Sequence, residues 1–275
     1  MDLFPRAFLL VFCQLAVGGM FGLAIPSFHD IERGYYKSSA VVYVAIAALA
    51  LAGRVGLWWS SAGADDGWRL AEIGVWAIFV GCATGYLASL WSERVVLRAR
   101  LFTATWVSGC IALVGLAEGY RNAPLLSLET FIFPFSFVLS AIVLGAAATG
   151  MLLGHWYLID HDLSLEPLQR TLALYRGSLA VQVALFVVAT LLLGLAGAPP
   201  SRAAVQLLLS DHTSLFAARV AVSPLGAGLL GWMIRRTLDI PQTMAATGLF
   251  YIAVLAVLVG EMLGRFLLFR TGLPL

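Results

Sequence analysis

Runs of about 20 apolar residues recur along the whole length of this chain, separated by short polar stretches. A soluble domain has no use for that pattern. A bilayer does, because roughly 20 apolar residues in a helix cross the hydrocarbon core. Charged residues make up 12% of the 275, about half the usual share, so there is little polar surface to clothe a soluble fold. The reading is an all-α, polytopic integral membrane helix bundle in one transmembrane domain. Eight spans are expected, near 7–28, 40–61, 68–91, 100–120, 130–158, 171–197, 214–234 and 242–267. The connections hold a dozen or so residues at most, near 29–39, 159–170 and 198–213. None can house a soluble catalytic domain. The N-terminal stretch "MDLFPRAFLLVFCQLAVGGMFGLAIPSF" is too long in its apolar part for a signal peptide and reads as the first span.

The formal net charge of +2 is too small to argue for a nucleic-acid partner; the partner expected first is membrane lipid. Cys13, Cys82 and Cys110 all lie inside apolar runs without a CxxC neighbour. They read as small packing residues rather than ligands of zinc or an iron–sulfur cluster. Orientation follows from arginine and lysine in the loops. The side reached after spans one, three, five and seven (side A) carries Arg33, Lys37, Arg94, Arg98, Arg100, Arg170, Arg176, Arg235 and Arg236. Side B carries Arg6, Arg69, Arg121, Arg202, Arg265 and Arg270. The excess places side A in the cytoplasm and both termini outside, in the inner membrane of a prokaryote. "LVGLAEGYR" closes span four and "LVGEMLGRF" closes span eight, each with a glutamate and then an arginine at its side-B end. A four-plus-four repeat preserves this sidedness.

Charges inside a membrane are costly and ask for a partner or a purpose. Arg54, Glu72, Glu118, Glu129, Arg219 and Glu261 come from six different spans and all fall in the side-B half. Glu72, Glu118 and Glu129 are near enough to helix ends to reach interfacial water. Arg54 and Glu261 are deeper, and their level predicts that they meet as a buried pair in the wall of a side-B cavity. On side A, "GHWYLIDHD" has the aromatic belt of a membrane interface in Trp156 and Tyr157. His155 there reads as an interfacial histidine, a proton carrier or a hydrogen-bond partner for a quinone. Axial haem ligation by His29 with His155 is the sharper alternative, but neither lies well inside a helix. Gly150 and Gly154 form a GxxxG that admits a neighbouring helix. Pro224 is expected to kink span seven, and Pro241 to open span eight. No P-loop, GxSxG, HExxH or dinucleotide fingerprint is present.

The eight spans and the ending "GEMLGRFLLF", Gly260 to Phe269, resemble the polytopic membrane subunits of the polysulfide-reductase and dimethyl-sulfoxide-reductase type. The resemblance implies a membrane anchor that exchanges electrons with a quinone without binding haem. The electrons would come from a partner subunit carrying iron–sulfur clusters, since this chain lacks the cysteines for one. A quinone bound near the outer leaflet needs a greasy slot and a few ionisable groups. Arg54, Glu72, Glu118 and Glu261, with His155 on the other side, are the candidates for that quinone and proton site; no residue is a candidate catalytic nucleophile. On this reading the chain is at most the quinone-site subunit of an oxidoreductase. Three other classes remain: a small-molecule or proton-coupled transporter, a structural anchor or assembly factor, and a membrane-embedded enzyme.

Overall fold

The computed structural model describes residues 3–26, 28, 30–60, 67–121, 124, 126–160 and 162–274. Within them the chain forms α1 (Leu3–Gly22), α2 (Arg33–Ser60), α3 (Gly67–Ser89), α4 (Val95–Glu118) and α5 (Glu129–Trp156). It continues with α6 (Glu166–Ala196), α7 (Pro199–Ser210), α8 (Thr213–Val220), α9 (Gly228–Leu238) and α10 (Thr243–Thr271). A π-helical segment, Ala221–Ala227, joins α8 to α9, so the three together make one span, Thr213–Leu238. Eight helices of the described residues are thus long and apolar enough to cross a membrane, and the protein is an all-α integral membrane bundle. Helices are the natural answer, since lipid offers no partner to a bare N–H or C=O.

Two helices form the axis. α1 and α5 are the most enclosed spans, and they lie against each other through small residues. A methyl group added to Gly18 would fall on the Ala141 carbonyl oxygen, and one added to Gly145 would fall on the backbone of Gly18. Only glycine allows that approach, and close backbone contact is what holds helices together where lipid competes for every apolar side chain. Gly22 meets Thr149 in the same seam, and Thr149 shares a 2.9 Å hydrogen bond with the Tyr43 hydroxyl of α2. Gln14 Nε2 donates to the Phe137 carbonyl at 3.1 Å, tying α1 to α5 a second time. The GxxxG of α5 works as its spacing indicates: Phe250 and Thr247 of α10 sit over Gly150 and Gly154.

Around this axis the two halves repeat. α1 packs on α2, α2 on α3, α3 on α4, and α4 returns to α1. α5 packs on α6, α6 on α9, α9 on α10, and α10 returns to α5. The halves also cross in matching fashion, α4 against α5 and α10 against α1. This is the four-plus-four arrangement. The gapless alignment of 113–121 with 258–266 falls on equivalent helices, placing Gly115 and Gly119 on Gly260 and Gly264, Leu116 on Glu261, and Tyr120 on Arg265.

Three local features depart from the sequence reading. Residues 199–210, expected inside a loop, form α7, which buries Ala204, Val205 and Leu208 against Ile132, Leu193 and Leu267. Its start is held by Glu129: one carboxylate oxygen accepts from the Ala198 N–H at 2.9 Å and from the Ser201 hydroxyl at 2.6 Å. Such a carboxylate satisfies donors that a helix N-terminus leaves open. Glu129 is therefore a buried cap rather than a group reaching for water. Pro241 does not open the last span, which begins at Thr243 with Gln242 as its N-cap. Pro224 does disturb span seven, but by widening it into the π-helical segment; proline lacks the N–H that an α-helical turn requires there. α10 ends on Gly272 in the left-handed conformation, φ 79°, whose N–H reaches the Leu268 carbonyl at 2.8 Å.

At the side-A end, Arg33, the first residue of α2, grips Glu93 of the α3–α4 connection through two hydrogen bonds of 2.8 and 3.0 Å. Those bonds and the Arg33 charge hold the Glu93 carboxyl below its ordinary range. In the loop after α5, burial pushes the Tyr157 hydroxyl up to about 12.

Candidate functional site

The side-B charges sort into two separate places, one in each half. The predicted pair of Arg54 with Glu261 does not form. Arg54 of α2 donates instead to Glu72 of α3, its nearest acidic neighbour across the helix pair. Both side chains are mostly enclosed, at 14% and 9% exposure, so the pair is not an interfacial one. The level of Arg54 in the membrane was legible in the sequence; the face of the helix it occupies was not. Arg54 Nε is buried without a hydrogen-bond partner.

This pair stands in the wall of a cavity of about 360 Å³ at the side-B end of the first half. Arg6, Arg69, Trp58 and Trp68 share its rim and wall with the pair. Leu9, Leu57, Ile73 and Leu116 make the apolar lining, and Tyr120 and Phe269 close the side toward the second half. All four helices of the first half contribute, with one residue from α10. The charged lining is Arg6, Arg54, Arg69 and Glu72. The volume lies at the lower end of the range for small-molecule sites, and an apolar slot with a few convergent polar groups is their usual form.

Glu118 sits at the end of α4, beside the cavity, and accepts from Arg121 Nε at 2.7 Å; its other carboxylate oxygen is buried without a partner. Glu72 and Arg54 are thus brought together, Glu118 is brought near, and Glu261 is taken elsewhere.

Glu261 lies in the second half, fully buried. Its Oε1 accepts from Gln182 of α6 at 2.8 Å and from Arg219 of α8 at 3.4 Å. Its Oε2 accepts from Arg265 Nη2, one turn along α10, at 3.1 Å. Arg265 also donates to the Ser140 hydroxyl of α5 at 2.7 Å, and Ser140 accepts from Gln182 at 3.1 Å. Arg219 further donates to the Gly260 carbonyl. The cluster draws on four helices and carries two guanidinium groups against one carboxylate. Arg265, counted with the side-B loops in the sequence, is inside the bundle with no exposed surface. Gln182 and Ser140 were missed. The signal for Gln182 was present, a lone amide in the otherwise apolar "SLAVQVALFVV"; Ser140 offered none.

By the repeat, Glu261 and Arg265 take the places of Leu116 and Tyr120, which line the cavity in the first half. What is an open slot in one half is a packed ionic knot in the other, flanked by the apolar seat of α7.

On side A, His155 is exposed at the end of α5, with its Nδ1 3.4 Å from the Tyr251 hydroxyl. It lies at the opposite face from the cavity. His29, its proposed partner on haem, lies outside the described residues. Among the described residues no three His, Cys, Asp or Glu side chains gather as a metal site. Cys13 is buried, and Cys82 and Cys110 are partly so, none in a disulfide.

The geometry defines a polytopic membrane protein with a cavity of mixed polar and apolar lining at the side-B end of its first half. No protein-family model matches the chain, and no curated protein is significantly similar to it.

Proposed function

We propose that this protein is the quinone-reactive membrane subunit of a respiratory redox complex in a prokaryotic inner membrane. Side B faces outward, and a partner subunit carrying iron–sulfur clusters docks there to exchange electrons with the quinone. The observation that carries the reading is the side-B cavity with the Arg54–Glu72 pair in its wall. A quinone headgroup is a flat apolar ring with two carbonyl oxygens. The indole and aliphatic lining suits the ring. The guanidinium of Arg54 can donate to one oxygen, and Glu72 can relay a proton when the quinone is reduced. Reduction of the quinone to the quinol takes two electrons, which come from the partner, and two protons, which enter from interfacial water by way of Glu72.

One observation weighs against a transporter. Alternating-access folds place broken helices at matching positions of their repeats. Here the π-helical break in span seven has no match in α3, which runs unbroken from Gly67 to Ser89.

The test is binding of a fluorescent quinone analogue, heptyl-hydroxyquinoline N-oxide, to the purified full chain in detergent. Saturable quenching at about one site per chain is expected, weakened at least tenfold in Arg54→Ala and in Glu72→Ala. Absence of saturable binding, or binding by both variants as tight as that of the unmodified protein, overturns the assignment.

A further inference from the structure

The ionic cluster of the second half is placed to act on the cavity of the first. Arg265 is the member whose contacts lead toward that cavity. Its guanidinium carbon lies 4.7 Å from the centre of the Phe137 ring. The Phe137 ring is 6.2 Å from that of Tyr120, and Tyr120 is 5.5 Å from Phe269. Tyr120 and Phe269 are themselves cavity wall. Two aromatic rings, Phe137 and Tyr120, therefore lie between a buried guanidinium and the cavity. Arg265 spends only Nη2 on Glu261 and Ser140; Nε and Nη1 are buried with no hydrogen-bond partner. Arg219, Arg265 and Glu261 sum to one uncompensated positive charge. Arg265 and Phe137 are both fully buried, so the field of this charge is screened less than that of a surface charge.

We propose that this cluster, through Arg265, makes the side-B cavity prefer a ligand whose ring is ionised, a phenolate or enolate, over the same ligand in neutral form. Arg265 is a positioning residue: it touches no ligand and acts through the aromatic wall. This inference rests on the reading of the cavity as a quinone site. It explains why a bundle retains a second buried arginine where one carboxylate needs only one partner. At a separation on the order of 10 Å and an effective dielectric of about 20, one unit charge changes the affinity of an anion by roughly tenfold.

The experiment compares two probes of nearly one shape: an alkyl-hydroxynaphthoquinone, ionised at neutral pH, and its neutral methyl ether. Both are titrated into the full-length protein and its variants, and the ratio of their affinities is read. That ratio cancels any loss of folded material. Arg265→Met brings the cluster to zero net charge, and the ratio should fall roughly tenfold. Glu261→Gln raises the net charge, and the ratio should rise. Glu261→Gln/Arg265→Met restores the original charge and should restore the ratio, an outcome that a merely structural role would not produce. If both probes bind and the ratio stays the same across the series, the proposal is overturned while the cavity reading stands. If the unmodified protein binds neither probe, the cavity reading falls and takes this one with it.

Discussion

Arg54 of α2 and Glu72 of α3 are partners across adjacent helices, and neither touches Glu261. A pair this enclosed is costly to break from one side, because the remaining charge is stranded. Arg54→Ala and Glu72→Ala should each lower thermal stability in detergent. The double variant should lose less than the sum, with a coupling of about 0.5–3 kcal/mol. Arg54→Ala with Glu261→Ala should instead be additive, since the two belong to separate clusters. Additive losses in the Arg54/Glu72 cycle would show that the pair does not form in solution.

Glu261 is the only carboxylate facing two buried guanidiniums in its cluster. Glu261→Leu should therefore be among the most damaging single changes, on the order of 3–5 kcal/mol. Arg265→Met leaves Arg219 to answer Glu261 and should cost less. Melting curves of the two variants, measured by loss of soluble monomer on heating, decide the order.

The seam between α1 and α5 has no room at its glycines. Gly145→Leu should abolish the folded protein, because its side chain would displace the Gly18 backbone. Gly74→Ala and Gly81→Ala have nothing near the added methyl and should be recovered at normal yield. Gel-filtration profiles after extraction distinguish the two groups. A monodisperse Gly145→Leu protein would show that the two helices can separate.

Capping of α7 by Glu129 predicts a local effect. Glu129→Ala should cost about 1 kcal/mol, a typical price of a lost N-cap. Hydrogen exchange in 199–210 should speed up while the eight spans stay protected. Unchanged exchange in that segment would remove the capping role.

The arginine bias predicts that both termini are outside. A reporter active only in the cytoplasm should be silent at the C-terminus and active in the loop between α5 and α6. The reverse pattern would invert the orientation and place the cavity on the cytoplasmic face.

The eight spans, the buried level of Arg54 and Glu261 and the small-residue contact at Gly150 and Gly154 were legible in the order of residues. Each depends on local composition: an apolar run of membrane length forms a helix whatever its neighbours, and depth follows from counting along that helix. Partnership does not. One residue's shift turns a side chain by about 100° around the helix, so which of six side-B charges meet depends on how eight helices are rotated and arranged. That arrangement sent Arg54 to Glu72, sent Glu261 to Arg219 and Arg265, and drew Arg265 out of the apparent loop into the core. It also made a helix of residues 199–210, whose short apolar face gains its stability only against Ile132, Leu193 and Leu267. The cavity is likewise a product of the packing, because it is the space left where the first half holds Leu116 and Tyr120 and the second half holds Glu261 and Arg265.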